Sequence, residues 1–519
     1  MNRRHAMKSL AAAVAAPPFL QSDGYADVHA HIDRSFEAHL AAMQDFIRQK
    51  SISSENVGVR DCAEYLADIL RRLGASAELA ETDGFPVVWG FYDAGAPRTL
   101  AVYSLYDVVH VVESEWSSPP FEARVVPLSG LGKAIVGRGA VNQKGPIRAL
   151  LNAMESIVAV RGKLPLNVMF VFEGEEELGS PHLPQFVARY ADRLRTADGC
   201  LSPGAAQNLQ GNVVLELGNK GIVYFEMEAS GERMPHGPKK FDLSSYQQTV
   251  VESPVWRLVE ALATLTDGNG AKLLVEDLNR AVTPLTAQDR DLIKKLTGTF
   301  DPDEVWKRQF QVDSFTEGLE GEALLERYVF SPSLNIDGIW AGYTGEGVAT
   351  LMPQKATAKL DLRLVPNLRA SEVMPAIRRH LDERGFGDVA LRELSGYDWS
   401  RTPLEAPIVE TLLASYRGYG FEPSIWPLRP SGAPAYLFTG PPVSIPMIGG
   451  GLGHGARQHS VDEYLVVEGE GRIAGLPQME KFYADLLFAL ARLTSRARHA
   501  AKLLVGSPET GGYRMTGTR

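Results

Sequence analysis

Residues 173–180 read Glu-Gly-Glu-Glu-Glu-Leu-Gly-Ser, directly after the apolar run 166–172 (Leu-Asn-Val-Met-Phe-Val-Phe). A short apolar run of this kind reads as a buried strand, which places Glu175, Glu176 and Glu177 where that strand opens at the end of a sheet. Neighbouring carboxylates at low dielectric repel strongly unless a cation or a shared proton neutralises them. The chemistry on offer is metal binding, or proton transfer by a carboxyl whose pKa is raised. Four further segments carry residues of matching type. They are 103–109 with Asp107, 137–145 with Asn142 and Lys144, 363–367 with Arg363, and 459–463 with His459.

The elements that must position these residues follow from apolar spacing. Residues 32–48 and 60–73 have helical periods, and Gly74 stops the second. Runs 86–91 and 99–104 read as strands, and a helix over 147–160 leads into the 166–172 strand. Helices alternating with β-rich runs predict a mostly parallel sheet covered on both faces. The texture changes near Gly221: a strand over 222–227, a helix over 252–265 opened by Ser253-Pro254, a polar and irregular stretch over 267–321, an alternating strand over 349–365 and a helix over 370–384. Mixed patterns resume after Leu404. The predicted organisation is an N-terminal extension (1–31), a first part of an α/β domain (32–220), an inserted α+β domain (221–402), the second part of the α/β domain (403–495) and a tail (496–519).

Composition limits the function classes. A 519-residue chain, 45% hydrophobic and 22% charged, is an ordinary globular sequence, long enough for two domains. The net charge of −10 and the lack of any Lys/Arg run argue against nucleic acid as a partner. Cys62 and Cys200 are too few for a disulfide framework or a cysteine-rich zinc site. No apolar stretch reaches the roughly 20 residues of a membrane span. Arg3-Arg4 ahead of an alanine-rich run, 11–16, loosely resembles a twin-arginine export signal, but Pro17-Pro18 and the short apolar run speak against it. The expected compartment is the cytoplasm, with the periplasm as the alternative.

In order and spacing, the five segments resemble the co-catalytic zinc exopeptidase and deacylase family, which includes carnosinase-like dipeptidases, aminoacylase, acetylornithine deacetylase and carboxypeptidase G. The resemblance implies a zinc-exopeptidase-like mixed-sheet α/β domain with an inserted α+β lid, through which family members commonly dimerise. It implies a small amino-acid- or peptide-like substrate. In that family two zinc ions sit at the strand ends, and a Glu beside a ligand Glu acts as general base. Glu176 matches the base, Glu177 the ligand and His459 the late His ligand. Asn335 and Arg363 match positions near the scissile carbonyl and the substrate carboxylate. Arg429, Ser431 and Gly432 match a loop whose backbone amides hold a carboxylate, although Pro430 removes one donor.

The remaining positions depart from the family. Leu105 stands where it has a His, Asn142 where it has the bridging Asp, Pro203 where it has the second-metal Asp, and Ser244 where it has an oxyanion-binding His. Two of five ligands should not hold two metals. The expectation is a metal count of none, or at most one divalent ion (zinc), and an amide-directed enzyme working by acid–base chemistry through Asp107, Lys144, Glu176, Glu177 and His459. A rebuilt single-metal site using Glu177, His459 and Asn142 with His110 or His454 is one alternative. A ligand-binding relative without catalysis is the other.

Overall fold

The computed structural model describes residues 22–267, 270 and 272–493. The Arg3-Arg4 signal and the tail from 496 lie outside the described residues. Within the segment read as an extension, the helix Ala26–Arg34 buries Val28 and Ile32 completely in the main core. A break at Ser35, whose N–H donates to the His31 and Ile32 carbonyls, separates it from the helix Phe36–Arg48, so the single helix expected over 32–48 is two.

The main sheet has six strands in the order Ser76–Ala80, Val87–Tyr92, Asn167–Glu173, Thr99–Leu105, Gly199–Pro203 and Met447–Gly450. The three pairings from Asn167–Glu173 to Met447–Gly450 are parallel, and the two at the other edge are antiparallel. The central strands are buried on both faces, which is why they read as continuous apolar runs. One face packs on the helices Val59–Leu73, Lys144–Arg161 and Leu476–Ala491, and the other on Leu183–Leu194. Val59–Leu73 ends at Gly74, whose φ of 101° only glycine adopts without strain.

A second, antiparallel sheet runs Ser333–Ala341, Lys355–Leu364, Gly221–Ser230, Ala390–Tyr397. The helices Pro254–Ala263 and Ala370–Glu383 cover one of its faces, burying Val223, Phe225, Leu360 and Leu362. Ser333, Arg363, Ile222 and Tyr397 form one cross-strand row on the opposite face. The stretch read as irregular holds the helices Glu276–Ala281, Ala287–Thr297 and Pro302–Phe310, followed by Gly321–Phe330. The last three bury Ile293, Leu296, Trp306 and Leu325 around Leu428.

A third small sheet joins Arg124–Leu128, Gly132–Val136, Tyr464–Gly469 and Gly455–Ala456. It holds the 137–145 loop against the 457–463 loop, through the Gly137 N–H donated to the Glu463 carbonyl (2.9 Å).

Candidate active site

Strand Asn167–Glu173 ends in a short helical turn, Glu176–Leu178. Asp107, wholly buried just past the parallel strand Thr99–Leu105, caps that turn: its two oxygens accept the N–H groups of Glu176 (3.2 Å) and Glu177 (3.1 Å). Burial, with Glu176 and Glu177 nearby, pushes the Asp107 carboxyl well above the usual carboxylate range. Asp107 thus fixes the backbone of both glutamates.

Glu177 lies between Asn142 and His459. The Asn142 amide donates to one Glu177 oxygen (2.7 Å), and His459 Nε2 lies 3.1 Å from the other. Asn142 Nδ2 is also 3.2 Å from His459 Nε2, closing a three-residue cluster. Hydrogen bonding to Glu177 raises the His459 pKa, which favours an imidazolium paired to that carboxylate. Glu176, half-buried beside them, makes no side-chain hydrogen bond among the described residues. Its pKa is raised to about 7 by burial and by the Glu177 charge, against the pull of His459 and Arg429.

A metal pair does not fit these side chains. Leu105 is a buried hydrocarbon and Pro203 has no donor. Asn142 presents its NH2 to Glu177, as a hydrogen-bond donor and not as a ligand. Among the described residues no group of three or more His, Cys, Asp or Glu is placed to hold an ion.

Three expected participants stand elsewhere. The helix starting at Lys144 lays that side chain along Gly139, so its Nζ reaches the Gln49 carbonyl and the Phe46 ring (5.8 Å) rather than the pocket. His110 is an exposed partner of Glu55. His454 is buried, bonded to the Gln207 carbonyl (2.8 Å) and the Tyr464 hydroxyl (3.1 Å). Each imidazole is engaged away from the glutamates, at one nitrogen in His110 and at both in His454, and neither joins Glu177.

On the substrate side, Arg363 is partly exposed and meets Asp361 at 3.1 Å. Arg429, half-exposed, has Glu216 at 3.8 Å and is close enough to Glu176 to affect its titration. Asn335 lies on the exposed edge strand and donates to Asp337 (2.8 Å). Ser431 is exposed, and Gly432 sits against the Tyr397 ring: a Cβ there would collide with the Tyr397 hydroxyl.

Residue-type reasoning missed three groups. Glu463 is buried and accepts from Arg138 Nη1 (2.8 Å) and from the N–H groups of Gly139 (3.1 Å), Val141 (3.0 Å) and Asn142 (2.9 Å), shaping the loop that presents Asn142. Its place four residues after His459 was the available signal. Glu173 is buried between the Tyr103 hydroxyl and Ser180 Oγ (3.0 Å), and burial pushes its pKa far up. Tyr397 left no signal in spacing, because only sheet register brings it beside Arg363.

The scaffold is a two-part α/β domain that carries paired glutamates at its parallel strand ends. Residues 101–488 match Peptidase family M20/M25/M40, and the chain belongs to that family. Among solved structures, an M20 family metallo-carboxypeptidase from Sulfolobus solfataricus is 30% identical, with a TM-score of 0.76 over 88% of this chain and 99% of that one. Human carnosine dipeptidase 1, at 23% identity, shares the fold, with a TM-score of 0.69 over 90% of this chain and 98% of that one. The Cys-Gly metallodipeptidase of Saccharomyces cerevisiae is 26% identical over 335 residues, which are 63% of this chain and 66% of that protein. The human Beta-Ala-His dipeptidase is 27% identical over 333 residues, 61% and 62% of the two chains. The chain thus spans about two thirds or less of the length of these two relatives. The expected family and fold class are met. Among the described residues, no helix is long and apolar enough to cross a membrane.

Proposed function

We propose that the chain acts on the amide bond of a small amino-acid- or peptide-like substrate, with Glu176 as the proton-transferring group. The observation that carries this reading is Glu176 itself: half-buried at the strand end, without a side-chain partner among the described residues, and titrating near neutral pH. A general acid or base is most effective when its pKa lies near the working pH. Burial and the Glu177 charge set Glu176 against the pull of His459, and Asp107 fixes the backbone of both glutamates. Arg363 and Arg429 provide positive charge for a substrate carboxylate. The segment 221–402 serves as the lid that carries Arg363.

A second reading is a metal-dependent peptidase, and it is favoured by the relatives, two of which are metallo-enzymes by name. One divalent ion held by Glu177 and His459 would polarise the scissile carbonyl. Assembly as a homodimer through 221–402 is supported by its exposed apolar side chains: Ile339 (51%) and Trp340 (45%) on the edge strand, and Trp256 (60%) on the covering helix. Sedimentation velocity at micromolar concentration is expected to read a dimer, and a monomer would remove that part.

The test is turnover of a dipeptide and N-acyl amino-acid panel, run with metal analysis and chelator. Glu176→Gln should lower kcat by roughly 10²–10⁴, the usual worth of a general acid or base, with KM little changed. Activity that survives chelation supports the first reading. Activity lost with one bound ion per chain supports the second, and two ions per chain overturn the argument from the donor set.

A further inference from the structure

Tyr397 ends the last strand of the four-stranded sheet and shares a cross-strand row with Ile222 and Arg363. Paired residues project from one face, and Tyr397 and Arg363, two strands apart, are separated by roughly 10 Å at the backbone. Helices Pro254–Ala263 and Ala370–Glu383 cover the other face, so both side chains stand on the opposite one.

There the Tyr397 ring is clamped. It stacks on Tyr436 with centroids 5.7 Å apart and planes 6° from parallel, and it fills the space beside Gly432 that a Cβ would need. Burial pushes its pKa up to about 12, and Glu176 adds to the rise while Arg363 opposes it. The phenol therefore keeps its proton at neutral pH, and both charged groups are near it. Among the described residues its hydroxyl has no hydrogen-bond partner, although tyrosine hydroxyls in such settings usually find one. A ring held by the Tyr436 stack, with its hydroxyl end against Gly432, its donor unspent and Arg363 in the same cross-strand row, is built to meet an acceptor that arrives from outside.

We propose that the Tyr397 hydroxyl donates a hydrogen bond to the carbonyl oxygen of the bound substrate, fixing the scissile group between Glu176 and Arg363. The proposal rests on the amide-bond reading above. It makes Tyr397 a catalytic contact, because negative charge grows on that oxygen as the carbonyl carbon is attacked, and a preoriented donor stabilises the growing charge. It also narrows the substrate class to compounds with a carbonyl acceptor and, for Arg363, an anionic group beyond it. An amine or an ester lacking that anion would leave Arg363 unused.

The experiment compares wild type with Tyr397→Phe, which keeps the ring and its stack, and with Glu176→Gln. Two quantities are read: kcat and KM on the best dipeptide of the panel, and the dissociation constant of a phosphinate dipeptide, whose tetrahedral oxygens mimic the attacked carbonyl. The expected result for Tyr397→Phe is a fall in kcat of about 10²-fold with KM within about threefold, phosphinate binding weakened by at least about tenfold, and an unchanged melting curve. Normal kcat and normal phosphinate affinity in Tyr397→Phe would overturn the proposal while leaving the amide-bond reading intact. If wild type cleaves nothing but binds the phosphinate through Tyr397, the amide-bond reading fails and the contact stands. If wild type neither cleaves nor binds, both fail. If Tyr397→Phe loses stability, Tyr397→His, which restores a donor near the same place, must recover more phosphinate affinity than Tyr397→Leu, and equal values for the two would also overturn it.

Discussion

Glu463 and Glu176 are both drawn out of water around the same pocket, yet the chain surrounds them in opposite ways. Glu463 lies in a nest of donors: Arg138 and three N–H groups of the 139–142 loop converge on its two oxygens. Burial still raises its pKa, but Asn142, Arg138 and Gly139 pull the other way. Glu176 has no donor of its own among the described residues, sits beside a second carboxylate, and is lifted to about 7. A carboxylate that holds a loop in shape must be ionised and satisfied at all times. One that exchanges a proton must be left nearly balanced between its two forms. The site contains one of each, and on the proposed reading the difference separates scaffold from chemistry more sharply than residue type does.

The largest effect that would break this contrast is on stability at Glu463. Glu463→Gln leaves the buried Arg138 without its counter-charge, and removal of one partner from a buried ion pair costs about 3–5 kcal/mol. Urea unfolding followed by tryptophan fluorescence should show that loss. A change below about 1 kcal/mol would mean that the nest is not what holds the 137–142 loop.

The glutamate run was legible because its two signals are local. A continuous apolar run marks a strand buried on both faces, and charges directly after it can only lie at the strand end. Three strands of the main sheet (Val87–Tyr92, Thr99–Leu105 and Asn167–Glu173), the 59–73 helix with its glycine stop and the 254–263 helix were legible for the same reason. Lys144 was misplaced because side-chain direction is set by packing: Gly139 leaves room for its stem, which then runs away from the pocket. His110 and His454 were drawn towards the site by nearness in sequence, whereas Glu55 and Gln207 claim them in space. The helices between 276 and 330 were hidden because each is about three turns or shorter, and their boundaries lie in polar caps. Thr286 and Asp301 accept the first N–H groups of two of them, and such residues read equally well as loop. Tyr397 depends on the register of three strands that are far apart in sequence, which no single segment encodes.

The finer test of the contrast is the titration of Glu176, which has two readouts with opposite signs. Its carboxyl ionises near 4.5 in an unfolded chain and at about 7 in the folded one. Between those values the native state holds the extra proton, so stability falls as pH rises through the folded pKa and is fully present only below the unfolded one. Glu176→Gln removes that penalty. The variant should be more stable than wild type at pH 8, by on the order of 1 kcal/mol after allowing for solvent access, and the gap should close by pH 4. Activity runs the other way. If Glu176 accepts the proton, kcat/KM should climb about tenfold per pH unit below the folded pKa and level off above it. A pH-independent stability difference between the two proteins, together with a flat rate profile from pH 5 to 8, would show that Glu176 is held as firmly as Glu463 and would erase the distinction between them.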